Sequence, residues 1–164
     1  MSRQLHLALA EPEIPQNTGN IARTCAGLGA GLHLIHPLGF EISDKYLRRA
    51  GLDYWPLVSL KEWDSLERFL AQIPADRLYY FSTKAQHNYC DVTYPDECWM
   101  LFGKETRGLP EDLLRSAGAH ALRIPMRSEA RSLNLSNAAA IAAYEWYRQK
   151  GFPGLAGQGT LTPA

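Results

Sequence analysis

Short apolar runs of four or five residues alternate along this chain with segments whose apolar positions repeat at helical spacing. That alternation restricts the fold more than any other feature: it favours the α/β class, a mostly parallel sheet with helices on both faces. Residues 5–9, 32–35, 78–81, 99–102 and 121–124 read as strands. Residues 18–28 read as a helix capped by Asn17 or Thr18 and ended by Gly29 or Gly31. Residues 60–72 read as a second helix, with Trp63, Leu66, Phe69 and Leu70 on one face. A short helix over 111–116 follows Pro110, and a last one runs from a Ser136 or Asn137 cap through Arg148. In sheets of this kind, ligands bind beyond the carboxyl ends of the strands.

The 164 residues fit one domain, expected over 1–153, with a Gly-, Thr- and Pro-rich tail over 154–164 expected to be disordered. No apolar run reaches the roughly 20 residues that span a bilayer, and the first residues lack the apolar stretch of a secretory signal. Cys25, Cys90 and Cys98 are odd in number and lack metal-site spacing, which suits reduced thiols and a cytoplasmic protein. Net charge is zero, but bases cluster at Lys45, Arg48 and Arg49, at Lys104 and Arg107, and at Arg123, Arg127 and Arg131. One basic face therefore remains compatible with a nucleic-acid partner. The sequence lacks a P-loop and a nucleophile elbow, and His33 and His36 would point to opposite faces of a strand, so no metal site is expected.

Three segments carry polar side chains where strands end or helices begin. The first, 11–23, has two prolines that stiffen a loop, Asn17 at a helix start, and Arg23 about 200° around the helix from Ile21, outside the core. The second, 103–110, brackets Glu105 and Arg107 between Gly103 and Gly108, and glycine permits close backbone approach to a ligand. The third, 124–137, concentrates hydrogen-bonding side chains, Arg131, Ser132 and Asn134 among them, ahead of an alanine-rich helix. Each alone also suits an ordinary turn or cap.

Taken together and in order, Asn17-Thr18-Gly19-Asn20-Ile21-Ala22-Arg23, Phe102 to Pro110, and Ile124-Pro125-Met126 with Ser132 to Ala138 resemble the three signature motifs of the SPOUT methyltransferases. Arg48 to Tyr54 resembles a stretch of the small TrmL (YibK-like) tRNA ribose methyltransferases, and the likeness runs from about Leu5 to Pro153. The resemblance implies a C-terminal trefoil knot, a homodimer and S-adenosylmethionine as methyl donor, with S-adenosylhomocysteine as product. It implies transfer to the 2′-hydroxyl of a tRNA wobble nucleotide, a cytidine or modified uridine, in leucine tRNAs. By position, Phe81, Gly103, Ile124 and Ser132 would contact the donor. Arg23 would be the catalytic arginine, with Asn17, Glu105, Ser132 and Asn134 as polar site residues. Lys45, Arg48, Arg49, Arg107 and Arg131 are the candidates for tRNA phosphate contact. Tyr144 would serve tRNA recognition or dimer formation, and with Trp146 and Tyr147 it could form the interface.

A ribose hydroxyl is a poor nucleophile at neutral pH, and an ordinary arginine stays protonated. Arg23 is therefore expected to act by binding phosphate and stabilising developing alkoxide charge. Two readings compete: the same chemistry at another tRNA position or on ribosomal RNA, and a non-catalytic RNA-binding protein on the same fold.

Overall fold

In the computed structural model, which describes residues 3–43 and 55–164, the apolar runs become strands of one parallel sheet. The elements are β1 (Gln4–Ala10), α1 (Pro15–Leu28), β2 (Gly31–Ile35), β3 (Ser59–Trp63), α2 (Leu66–Gln72), β4 (Leu78–Phe81), β5 (His87–Asn88), β6 (Glu97–Phe102), α3 (Glu111–Ala117), β7 (Ala121–Arg123) and α4 (Leu135–Gln149). The sheet order is β3-β2-β1-β6-β4-β7-β5, and every pairing is parallel. Parallel strands covered on both sides bury both sets of side chains, and all five residues of β2 are buried.

Alternation along each strand sorts the core into two layers. Leu5, Leu7, Leu9, Leu32, Leu34, Met100 and Phe102 pack against Ile21 and Cys25 of α1 and Ala139, Ala142 and Trp146 of α4. Ala8, Ile35, Leu78, Leu101 and Ala121 pack against Phe69 of α2 and Leu114 of α3. Helices therefore cover both faces, as the alternation requires.

Four boundaries differ from the sequence reading. Residues 59–63 form β3, the edge strand beside β2, rather than the first turn of a helix over 60–72. The helix begins only at Leu66, where the Ser65 hydroxyl accepts the Arg68 N–H at 3.1 Å. Trp63 fits both patterns because it packs on the same core layer as Leu66. Helix α1 starts at Pro15, whose missing N–H costs nothing in a first turn, so Asn17 lies inside the helix and is not its cap. Helix α4 is capped by Asn134, not Ser136 or Asn137, and Pro110 precedes α3 at the N-cap position. Trp146 and Tyr147 are core residues, 1% and 4% exposed, and so cannot form an interface. Their polar atoms bond the Pro95 carbonyl at 3.0 Å and the Leu28 carbonyl at 2.7 Å. Residues 155–164 form no helix or strand.

A chain of rings fills the α2 side of the sheet. The Trp63 indole donates to His33 Nδ1 at 3.0 Å, and His33 Nε2 faces His6 Nδ1 at 2.9 Å. An indole can only donate, so His33 Nδ1 accepts and its proton sits on Nε2, directed at His6. Burial, then the neighbouring His6 and Lys61 charges, push His33 down to about 3; burial also lowers His6. The unfolded chain binds these protons near pH 6.5, whereas the folded chain refuses them. Stability is therefore whole above that pH and is lost as pH falls towards the folded value. One such imidazole contributes a slope approaching about 1.4 kcal/mol per pH unit. Denaturant unfolding between pH 7 and 4.5 should show that slope reduced in His33→Gln; equal slopes in the two proteins would contradict it.

Candidate active site

The carboxyl ends of β1, β4, β6 and β7 open onto a cavity of about 1130 Å³. It lies where the chain order reverses, since β1 leads leftward to β2 and β3 while β6 and β4 lie on its other side. Such a switch point is where open parallel sheets leave a crevice. Phe81 and Phe102, ending adjacent strands, stack with ring centroids 4.9 Å apart and line its floor with Ile124.

A carboxylate joins the loops around it. Ile14, the N-cap residue of α1, makes no side-chain capping bond. Glu105, from the β6–α3 loop, supplies the acceptors: Oε1 takes the Glu13 N–H at 2.8 Å, and Oε2 takes the Ile14 N–H at 2.8 Å and the Asn17 amide at 3.2 Å. Negative charge at a helix N-terminus also opposes the positive end of the helix dipole. Asn17, 5% exposed, accepts in turn from the Asn134 amide at 3.0 Å. Asn134 Oδ1 accepts the Ser136 and Asn137 N–H groups at 2.9 and 3.3 Å and so caps α4. Glu105, Asn17 and Asn134 thus form one continuous network through all three motif segments.

A second carboxylate reciprocates. Glu13 Oε1 accepts the Thr106 N–H at 3.1 Å and the Thr106 hydroxyl at 2.7 Å, and these bonds hold its carboxyl below the usual range. Sequence reasoning overlooked Glu13 and Thr106. The only cue was their place inside the two unusual loops, because a pairing across 93 residues leaves no local pattern. Gly103 has a similarly concrete reason. A Cβ there would lie 2.1 Å from the Gly108 carbonyl carbon, so only glycine lets the loop close on itself. Gly108 then turns back at φ 67, its N–H bonded to the Lys104 carbonyl at 2.8 Å.

Of the residues singled out from sequence, Asn17, Phe81, Gly103, Glu105, Arg107, Ile124, Arg131, Ser132 and Asn134 all line this one cavity. Arg23 does not: it is exposed on α1, six residues beyond Asn17 and on another face. Tyr144 is also outside, 51% exposed on α4. Lys45, Arg48 and Arg49 lie outside the described residues. Among the described residues there is no cluster that could hold a metal ion, and no helix is long and apolar enough to cross a membrane.

The cavity can hold a nucleoside-sized ligand with an apolar ring against Phe81, Phe102 and Ile124 and polar groups against Ser132 and Asn134. Comparison with known proteins agrees with that chemistry. A tRNA (cytidine(34)-2'-O)-methyltransferase from Saccharophagus degradans is 49% identical over 91% of this chain and 97% of its own. A relative from Listeria innocua is 52% identical over 92% of this chain and 90% of its own. A solved structure concerned with 2-OH methylation of C/U34 on tRNA matches with TM-score 0.86 and 49% identity, covering 91% of this chain and 97% of that one. The SpoU methyltransferase AviRb from Streptomyces viridochromogenes, in complex with the cofactor AdoMet, matches with TM-score 0.78 and 26% identity, over 92% of this chain and 62% of that one. The model of the SpoU rRNA Methylase family matches residues 4–144. With its three loops gathered at one switch-point cavity and that match over most of its length, this chain belongs to the SpoU rRNA methylase family.

Proposed function

We propose that the chain transfers a methyl group from S-adenosylmethionine to the ribose 2′-hydroxyl of the wobble nucleotide of tRNA, a cytidine or modified uridine of leucine tRNAs. The observation that carries this reading is the Glu105–Asn17–Asn134 network, which holds three otherwise separate loops around a cavity of nucleoside size. Relatives of similar length and about half-identical sequence support the wobble ribose as target.

The donor supplies an electrophilic methyl on a sulfonium centre. Phe81, Ile124 and the backbone beside Gly103 hold its adenosine, with Ser132 at the polar edge. Glu105 is not the base in this reading, since its oxygens already accept three N–H donors; it fixes the loops. Arg107 and Arg131, at the cavity rim, bind RNA phosphate together with Lys45, Arg48 and Arg49. The ribose oxygen bonds the methyl carbon as the carbon–sulfur bond breaks and S-adenosylhomocysteine leaves; the hydroxyl proton passes to water, and Arg23 stabilises the negative charge that develops on the oxygen.

Because Arg23 lies outside the cavity of its own chain, the proposal includes a homodimer in which it serves the partner's cavity. Ile141 and Tyr144, three residues apart on α4 and 37% and 51% exposed, form the apolar face for such pairing. The proposal also includes the trefoil knot. The late insertion of β7 between β4 and β5, and the return of α4 across the sheet to α1 and β1, support it. A tRNA substrate and reduced thiols support action in the cytoplasm.

The first test is incubation with labelled donor and tRNA lacking wobble ribose methylation, followed by digestion and identification of the labelled nucleoside. A 2′-O-methylated nucleotide 34 is expected; label at another position, or only in ribosomal RNA, would move the target. Asn134→Ala should cost about 1 kcal/mol through the lost cap, lowering Tm by roughly 2–4 °C, and should slow methyl transfer at least about tenfold. A normal rate would remove Asn134 from the site. Arg23→Ala and Asn134→Ala, each slow alone, should regain up to about a quarter of normal activity when co-refolded, since mixed dimers hold one intact composite cavity. No recovery would place Arg23 in its own chain's reaction.

A further inference from the structure

Nearer the amino ends of the strands, on the α2 side, a second cavity of about 530 Å³ opens between the sheet and the end of α2. Along β1, Ala10 lines the first cavity and His6 the second, about 13 Å apart at strand spacing. Its size lies in the range of small-molecule sites. Gly31 leaves room for the His6 ring that lines it: a Cβ there would lie 2.8 Å from His6 Nδ1.

The walls are aromatic. His6 stacks on Trp99 with centroids 4.3 Å apart and planes 7° from parallel, and Trp63 closes the other side. Trp99 is 8% exposed, and its Nε1–H is buried with no partner among the described residues. An indole nitrogen only donates, so the site lacks an acceptor. Lys61 is exposed, with its ammonium 4.2 Å over the Trp63 ring, which sets a cation at the rim. The ring chain directs the His6 Nε2–H away from His33, adding a further donor. Flat apolar walls, unmet donors and a rim cation match a planar base that carries acceptors and a phosphate. Unpaired RNA bases are held in this way, by stacking on aromatic and histidine rings beside basic side chains.

We infer that this cavity is a second nucleotide site that takes one unstacked base of the RNA substrate, its edge accepting from the Trp99 indole and its phosphate held at Lys61. The inference rests on the RNA-methylating reading above. It gives this chain, which lacks a separate RNA-binding domain among its described residues, a contact remote from the methyl-transfer cavity.

The test follows the indole N–H resonance of Trp99 in the ¹⁵N-labelled full chain, assigned with Trp99→Phe. It is titrated with substrate tRNA, a single-stranded oligoribonucleotide, and cytidine 5′-monophosphate. The resonance should move with tRNA and with the oligonucleotide. Lys61→Ala should need about five- to tenfold more RNA for the same shift, and should raise KM for tRNA by a similar factor at unchanged kcat. A Trp99 resonance that stays still with tRNA while methyl transfer proceeds would overturn the site and leave the methylation reading standing. A response to cytidine monophosphate but to neither RNA would make it a free-nucleotide site and overturn the RNA source. A shift with RNA in a protein that methylates no tRNA would keep this site and sink the proposed activity instead.

Discussion

Glu105 accepts the backbone N–H groups of Glu13 and Ile14, the two residues that lead into a helix about ninety residues earlier in the chain. Ile14 and Pro15 at the start of α1 offer no side-chain cap, so the loop that leads into the helix is fixed by an acceptor from elsewhere. The acceptor arrives on the loop after β6, and it can do so because β1 and β6 are hydrogen-bonded neighbours whose carboxyl ends coincide, Leu9 opposite Phe102. Sheet topology thus brings two loops together, and one carboxylate binds them. Asn17 extends the connection to Asn134, and Asn134 fixes the start of α4. Each motif segment is held by the others, so the cavity is a property of the assembled sheet rather than of any single loop.

The parts of this structure that were legible in the sequence are those fixed by local pattern. Leu5, Leu7 and Leu9 alternate into one core layer, and Gly29, at φ 77, ends α1 where glycine suggests it should. Residues 60–63 fit a helical pattern because Trp63 also completes the stripe of Leu66, Phe69 and Leu70. Only pairing with β2, a contact distant in sequence, makes the segment a strand. Tryptophan and tyrosine in α4 suggested an interface, yet the small alanines of that helix bring it close to the sheet and carry Trp146 and Tyr147 into the core. The candidate site was legible through its three unusual loops, whose polar residues meet in one cavity. The direction of its bonds was not. Asn17 resembled a helix cap by residue type but serves as a bridge, and the Glu13–Thr106 pairing depends wholly on tertiary placement.

Arg23 and Tyr144 stand apart from that cavity, on the exposed faces of α1 and α4, two helices packed against each other on the same side of the sheet. Under the proposed function, an arginine that faces away from its own chain's cavity would act between two copies. The ring cluster of Trp63, His33, His6 and Trp99 lies on the opposite side, under α2. Burial keeps its imidazoles neutral, and the Trp99 indole N–H meets no acceptor among the described residues. The two sides of the sheet are therefore differently equipped: one with hydrogen-bonded loops and an outward arginine, the other with stacked rings and a rim lysine.

The central claim is that Glu105 and Asn134 act as one unit through Asn17, although no direct bond joins them. A double-mutant cycle of Glu105→Ala and Asn134→Ala, read as single-turnover methyl transfer at saturating donor and tRNA, measures that coupling. If the network is one unit, the double variant will be little slower than the slower single variant, because either change already releases the shared geometry. If the two losses multiply, the residues act independently and the network does not organise the site.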